Sequence, residues 1–338
     1  MSASLDTGGA RAHRPRYALI DIVRGIAIIA MIVYHAAWDL WFLQFIQVPI
    51  AFDPGWIAFQ RTILSTFLFL VGTGLVLGHG AGIKWRSFWR RFGLIAGGAL
   101  LVTIGTYFAF PESFVYFGIL HAIALFSLFG LAFLRLPIWL NAALGLVLLI
   151  LPTLFTSTVF DAKALSWIGL WQTAPYTEDL VPVVPWFGGV LFGIAGTRLA
   201  QRTGIMDRIA RVAPADPLSR ALAWMGRWSL VIYLVHQPVL LGILMPMAMW
   251  LEPEIEARNA QFYGSCVASC EDSAGGQAAY CTTYCQCSLD RIEADQLWPL
   301  LDPGSVRTED DNDALVDLTN QCAAQALTGM PALEAPAE

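Results

Sequence analysis

Seven long runs of apolar residues decide what this chain can fold into. Each run is close to the roughly 20 residues that a helix needs to cross a bilayer core of about 30 Å. Lipid offers backbone groups no water to bond, so only helices or closed barrels span it, and barrel strands alternate apolar with polar residues. These runs are continuously apolar, which predicts an all-α polytopic bundle of about seven transmembrane helices. The runs cover residues 18–45, 62–78, 92–110, 114–134, 136–156, 182–200 and 228–250.

Charge and cysteine content divide the chain near residue 251. Only 14% of all residues are charged, whereas soluble domains carry about 25%. Up to Trp250 there are 17 Lys and Arg against 10 Asp and Glu, but the remainder has 3 against 16 and contains all six cysteines. We therefore predict a short cytoplasmic segment (1–17), a transmembrane domain (18–250) and an acidic tail (251–338).

The basic residues predict the orientation of the helices. Loops rich in Lys and Arg stay in the cytoplasm. If the helices alternate in direction, 14 of the 20 basic residues fall on the side of the N-terminus. The N-terminus is therefore predicted to be cytoplasmic and the tail to lie outside. The residues on the cytoplasmic side are Arg11, Arg14, Arg16, Lys84, Arg86, Arg90, Arg91, Arg135, Arg198, Arg202, Arg208, Arg211, Arg220 and Arg227.

The first helix carries an unusual stripe of ionisable residues. At 100° per residue, Asp21, Arg24, His35 and Asp39 share a stripe about 60° wide. Ionisable groups at membrane depth face the bundle interior or a wet cavity. His35 and Asp39 are four residues apart, so a carboxylate would orient the imidazole as a general base. The alternative is a buried histidine satisfied by a neighbouring helix.

Two further histidines lie in apolar segments. His121 has a depth similar to that of His35, so both could face one cavity. Ser229, Tyr233 and His236 share one helix face, as an interior hydrogen-bond ladder or as a ligand surface. The chain has no G-x-S-x-G, P-loop or H-E-x-x-H motif. A soluble nucleotide-binding module is therefore not expected, and we predict neither a metal nor a nucleic acid as ligand.

The cysteines of the tail predict disulfide bonds. A C-x3-C spacing places both thiols on one helix face, and two such turns suggest a helical hairpin stapled by Cys266–Cys285 and Cys270–Cys281. Six cysteines, which also include Cys287 and Cys322, allow 15 pairings. A zinc site is the alternative, although the tail has no histidine. Beyond residue 302 the polar composition predicts disorder.

Four ordered motifs resemble one family of transmembrane acyltransferases. They lie between residues 16 and 250, and the first is the segment from Asp21 to His35. The sequence resembles the heparan-alpha-glucosaminide N-acetyltransferase catalytic-domain family in its short bacterial form. The other motifs are Phe117-Gly-Ile-Leu-His121, Pro185-Trp-Phe-Gly188 and Gly226-Arg-Trp-Ser-Leu-Val-Ile-Tyr-Leu-Val-His236-Gln-Pro238.

The resemblance implies transfer of an acetyl or acyl group from cytoplasmic acyl-CoA to a sugar or glycan acceptor outside a bacterial inner membrane. It makes His35 the leading catalytic residue, with Asp39 and His121 beside it. Asp21, Arg24 and His236 become the expected donor-binding residues. Animal members carry another histidine after helix 1, whereas residues 44–60 have none. Heparan itself is therefore not expected as the acceptor.

Two other functions fit a membrane bundle of this kind. A transporter would use the ionisable stripe as a polar pathway, although no inverted repeat relates the two halves. A non-catalytic subunit would use its outer tail to recruit a protein. The expected partners are membrane lipid, a glycan or amino-sugar acceptor, and either a second copy of the chain or an outer protein bound by the tail.

Overall fold

The computed structural model describes residues 17–273, 277–302 and 304–328, and every regular element in them is a helix. The predicted all-α membrane bundle is therefore confirmed. The described residues form two compact units, 17–39 with 49–242, and 40–48 with the described residues from 243 onward. Arg11, Arg14 and Arg16, whose charge supported the orientation, lie outside the described residues. The helices of the apolar part are α1 (Ala18–Phe42), α2 (Pro54–His79), α3 (Trp85–Ala109), α4 (Ile119–Phe133), α5 (Ile138–Leu154), α6 (Val183–Arg202), α7 (Ile205–Ala210), α8 (Pro217–Arg227) and α9 (Ser229–Leu251).

Five of the described helices, α1, α2, α3, α6 and α9, are long and apolar enough to cross a membrane. Helices α4 and α5 have 15 and 17 residues, so at 1.5 Å per residue they are about 22–26 Å long. Each of the seven predicted runs thus contains one helix. Three predicted starts differ from the structure by five residues or more, and one of them is that of α3, which begins at Trp85 rather than at residue 92. Helix α2 begins eight residues early because Asp53 Oδ1 accepts a hydrogen bond from the Trp56 N–H, which caps it. Helix α4 begins only at Ile119.

Small residues let α6 pack closely against α2 and α5. A Cβ on Gly193 would lie 2.2 Å from the Phe69 carbonyl oxygen, and one on Gly72 would lie 2.2 Å from the Val190 oxygen. Phe126 of α4 and Leu191 of α6 are fully buried in the core beside these contacts. The backbones of α2 and α6 are therefore in direct contact, and α4 packs against both.

The loops that precede α4 and α6 are joined to each other. The Glu178 N–H donates to the Ser113 carbonyl (2.8 Å) and the Val181 N–H donates to the Phe117 carbonyl (3.0 Å). Thr177 Oγ1 also donates to the Phe114 carbonyl. This pairing explains why residues 114–118 are not helical, although they are apolar. It also fixes the loop before α6 over the N-terminus of α4.

The described part of the tail contains four helices, and three disulfide bonds join three of them. Cys266–Cys285 and Cys270–Cys281 join α10 to α11, the pairing that the spacing predicts, and Cys287–Cys322 joins α11 to α13. Ile292, Leu297 and Leu318 form a small apolar core. The expected disorder beyond residue 302 is wrong for residues 309–328, because α13 is bound by its disulfide and packs on this core. The helices are α10 (Pro253–Ser273), α11 (Ala278–Ala294), α12 (Trp298–Leu301) and α13 (Glu309–Thr328).

Candidate functional site

Two histidines from the first and last membrane helices meet inside the bundle. The rings of His35 on α1 and His236 on α9 are edge to face, with centroids 5.0 Å apart. His236 is 9% exposed. The ring of Tyr34 lies 5.8 Å from that of His35, and the ring of Tyr233 lies 5.6 Å from that of His236. The structure thus brings together a predicted catalytic residue and a predicted donor-binding residue.

Asp39 is held by helix α9 rather than by His35. Gln237 Nε2 donates to both carboxylate oxygens of Asp39, at 2.7 and 3.0 Å. Asp39 is 2% exposed, and within the described residues no hydrogen bond joins it to His35. A buried carboxylate needs donors, and the amide of the residue after His236 supplies them. The His35–Asp39 pair expected from the four-residue spacing is therefore replaced by an Asp39–Gln237 pair.

Arg24 lies where α1 crosses α8. Its Nη1 donates to Asp21 Oδ1 at 3.1 Å and to the Gly226 carbonyl oxygen at 3.4 Å. The crossing is very close, since a Cβ on Gly226 would lie 1.8 Å from the Asp21 carbonyl oxygen. Asp21 therefore positions Arg24 from within the same helix, and the glycine fixes the distance to α8.

A cavity of about 280 Å³ is lined by arginines and by Tyr233, whose ring lies 5.6 Å from that of His236. Arg24 and Arg91 line it together with Ser229 and Tyr233. The two guanidinium groups are close enough to repel each other, and within the described residues no carboxylate forms an ion pair with Arg91. Gly74 leaves room for the Arg91 guanidinium group, because a Cβ on Gly74 would lie only 3.3 Å from Arg91 Nη1. Arg227 also lines the cavity, so three guanidinium groups surround it while Asp21 pairs with Arg24, and this excess of positive charge favours an anionic ligand.

His121 caps helix α4. Its Nδ1 accepts a hydrogen bond from the Gly118 N–H at 3.2 Å. Thr103 Oγ1 donates to the Val115 carbonyl, so the 3.1 Å contact between Thr103 Oγ1 and His121 Nε2 is donated by the ring. Both ring nitrogens are therefore used by the protein. The catalytic role predicted for His121 stays a prediction, and the geometry gives the residue a structural function.

Asp179 is a carboxylate of this region that the sequence did not single out. Its Oδ2 accepts a hydrogen bond from the Ile119 N–H at 2.8 Å, at the N-terminus of α4. The Asp179 carboxylate interacts electrostatically with Tyr34 and with Tyr233. Burial raises the pKa of Asp179 to about 6, and the bond from Ile119 opposes the shift. The carboxylate therefore lies near both tyrosines that flank the histidine pair.

Sequence reasoning missed Asp179, Arg91 and Gln237 as site residues. Arg91 was counted only as a loop charge, although its position in the second turn of α3 could have raised the question. Gln237 directly follows His236, which was the available signal. No pattern in the sequence around Asp179 identifies it as a site residue. Among residues 17–273, 277–302 and 304–328, no group of three His, Cys, Asp or Glu side chains is arranged to hold a metal ion.

Comparison with known proteins identifies the family. The model of the heparan-alpha-glucosaminide N-acetyltransferase catalytic domain matches residues 16–238, which include α1 to α8 and the part of α9 that carries His236. No curated protein and no solved structure gives a significant match. The matched region is about two thirds of the chain and contains every residue of the histidine pair and the arginine cavity. The chain therefore belongs to the heparan-alpha-glucosaminide N-acetyltransferase catalytic-domain family, a family of membrane acetyltransferases.

Proposed function

We propose that the protein is a membrane acyltransferase that moves an acetyl or acyl group from acyl-CoA to a sugar or glycan acceptor. The observation that carries the proposal is the cavity lined by Arg24, Arg91 and Tyr233, together with the histidine pair that lies next to Tyr233. The arginines of the cavity suit an anion, and two imidazoles lie together beyond Tyr233. A donor with phosphates at one end and a thioester at the other matches this order of groups.

The arginines are suited to the phosphates of coenzyme A. Guanidinium groups bind phosphate through paired N–H donors, and the repulsion between Arg24 and Arg91 is relieved when an anion lies between them. Most other residues of the cavity are apolar, such as Ile28, Leu120 and Leu230. They suit the pantetheine arm, whose thioester would then pass Tyr233. The cavity is at the small end of ordinary ligand sites, so the nucleotide part of the donor would lie outside it.

The proposed orientation places the donor in the cytoplasm and the acceptor outside. Arg227 lines the cavity at the end of α8, in the stretch between α6 and α9 whose arginines predict a cytoplasmic side. Asp39 and the Asp179 loop lie toward the other end of the bundle. We further propose that the protein is a multi-pass protein of a bacterial inner membrane, with the disulfide-bonded tail in the periplasm, since disulfides persist in that oxidising compartment.

Acetyl-CoA turnover by the protein reconstituted in lipid tests the proposal. Wild type is assayed with a panel of amino sugars and glycans, and release of free CoA is measured. His35→Ala should abolish acceptor-dependent release and leave the thermal unfolding temperature close to that of wild type. The matched control is His79→Ala, which removes a histidine from the last turn of α2 and should leave turnover unchanged.

Two results would contradict the proposal. Wild type that neither binds acetyl-CoA nor releases CoA with any acceptor would redirect attention to a transporter or to a subunit that binds a partner through its tail. Turnover that persists in His35→Ala would exclude His35 from the reaction, even if the protein is a transferase.

A further inference from the structure

The ring of His236 is held in one tautomer by its own helix. Its Nδ1 lies 2.6 Å from the Tyr233 carbonyl oxygen. A carbonyl oxygen only accepts, so Nδ1 carries the proton and donates it. A neutral imidazole has one N–H, and Nε2 is therefore left with an unprotonated lone pair. This assignment follows from the hydrogen bond alone and does not depend on any ligand.

That lone pair has no partner in the described part of the chain. His236 Nε2 is buried and accepts no hydrogen bond. Buried polar atoms are nearly always paired, and an orphan in a native structure calls for a functional explanation. His35 lies beside the ring at 5.0 Å between centroids, yet it does not bond to Nε2. The neighbouring amide of Gln237 is committed to Asp39. The atom is thus kept free within a site where a nucleophile must lose a proton.

We propose that His236 is the general base of the transfer reaction and that His35 holds the thioester. The inference rests on the proposed function and assigns the roles within it. Nε2 of His236 takes the proton from the acceptor nitrogen or oxygen as that atom forms a bond to the acyl carbon. The carbon–sulfur bond breaks with its electron pair on sulfur, and the imidazolium returns the proton to give free CoA. An N–H of His35 donates to the thioester oxygen as negative charge develops there.

Two substitutions separate a base from a structural histidine. His236→Asn keeps an N–H at the position of Nδ1 and can still donate to the Tyr233 carbonyl, but it has no Nε2. His236→Ala loses both. A general base contributes about 10²–10⁴-fold to rate. Both variants should therefore lose at least about 100-fold in kcat with glucosamine as acceptor, with KM for acetyl-CoA unchanged. Only His236→Ala should also unfold at a lower temperature, and His79→Asn serves as the control.

Activity of His236→Asn within about tenfold of wild type would overturn the proposal, because the residue would then act only through its bond to Tyr233. If neither variant folds, nitrogen NMR of wild type labelled at histidine decides the matter. A protonated Nδ1 and bare Nε2 at His236 support the proposal, and a protonated Nε2 overturns it. Wild type without any acetyl-CoA turnover would instead contradict the proposed function, which distinguishes the two failures.

Discussion

Gly226→Ala tests whether the close crossing of α1 and α8 builds the proposed donor site. The added Cβ would lie 1.8 Å from the Asp21 carbonyl oxygen, whereas ordinary contacts begin near 3.4 Å. Backbone atoms cannot rotate aside, so the helices must separate by about 1.5 Å, and overpacking of this kind costs about 1–3 kcal/mol. The shift also moves the Gly226 carbonyl away from Arg24, which it contacts at 3.4 Å.

The assay compares thermal unfolding and the KM for acetyl-CoA in the same lipid or detergent. Gly226→Ala should lower the unfolding temperature and raise KM, because both the crossing and the arginine are displaced. Gly97→Ala on α3 is the matched control, since beyond the backbone of its own helix no atom of the described residues lies within 4 Å of its Cβ position. Alanine favours a helix over glycine by roughly 1 kcal/mol, so the control should be as stable as wild type or more so. The same unfolding temperature and the same KM for acetyl-CoA in Gly226→Ala and Gly97→Ala would refute the reasoning.

Three other predictions test separate parts of the molecule. Arg91→Gln should raise the KM for acetyl-CoA about tenfold or more, since a hydrogen bond to a charged group contributes about 1.5–3 kcal/mol; an unchanged KM excludes Arg91 from donor binding. The pKa of Asp179 is raised from 3.8 to about 6 in the folded protein, so the folded protein binds a proton at Asp179 more tightly than the unfolded chain does. Protonation of Asp179 therefore stabilises the fold at low pH, and this stabilisation is lost as the pH rises through the pKa of the folded protein. Asp179→Asn, which can still accept from Ile119, should therefore unfold at a higher temperature than wild type at about pH 8 but not at about pH 4, and equal curves at both pH values would contradict this. Replacing Cys287 and Cys322 by alanine opens a bridge between residues 35 apart, which should cost the tail about 4 kcal/mol and expose α13 to a broad-specificity protease; full resistance would show that packing alone holds the helix.

The positions of the membrane helices were predictable because hydropathy is a local property. Each of the seven apolar runs contains one helix, and the C-x3-C spacing indicated which cysteines of α10 and α11 meet. The early start of α2 was also readable, because Asp53 followed by Pro54 is a typical helix beginning. Local composition wrongly predicted a helix at residues 114–118, where an apolar segment pairs with another loop.

The contacts of the site depend on which helices are neighbours, and one sequence does not contain that information. Asp39 was assigned to His35 on its own helix, but it binds Gln237, a residue 198 positions away. Glycine spacing shows the same limit. Gly189 and Gly193 on α6 pack against α2. Gly93 and Gly97 on α3 have the same spacing, but no other helix of the described chain comes within 4 Å of their Cβ positions. Two glycines four residues apart indicate that a helix can be packed closely, and the position of the neighbouring helix decides whether such packing occurs.

The meeting of the first and last membrane helices sets the order in which the protein becomes functional during synthesis. A growing chain is made and folded from its N-terminus, so α1 is present long before α9. Until α9 arrives, Asp39 has no Gln237, and an unsatisfied carboxylate within a membrane helix is costly. The final helix thus supplies His236 and stabilises the first helix in one step. On the proposed function, a chain that stops before α9 lacks half of the histidine pair and leaves the Asp39 carboxylate without the Gln237 amide.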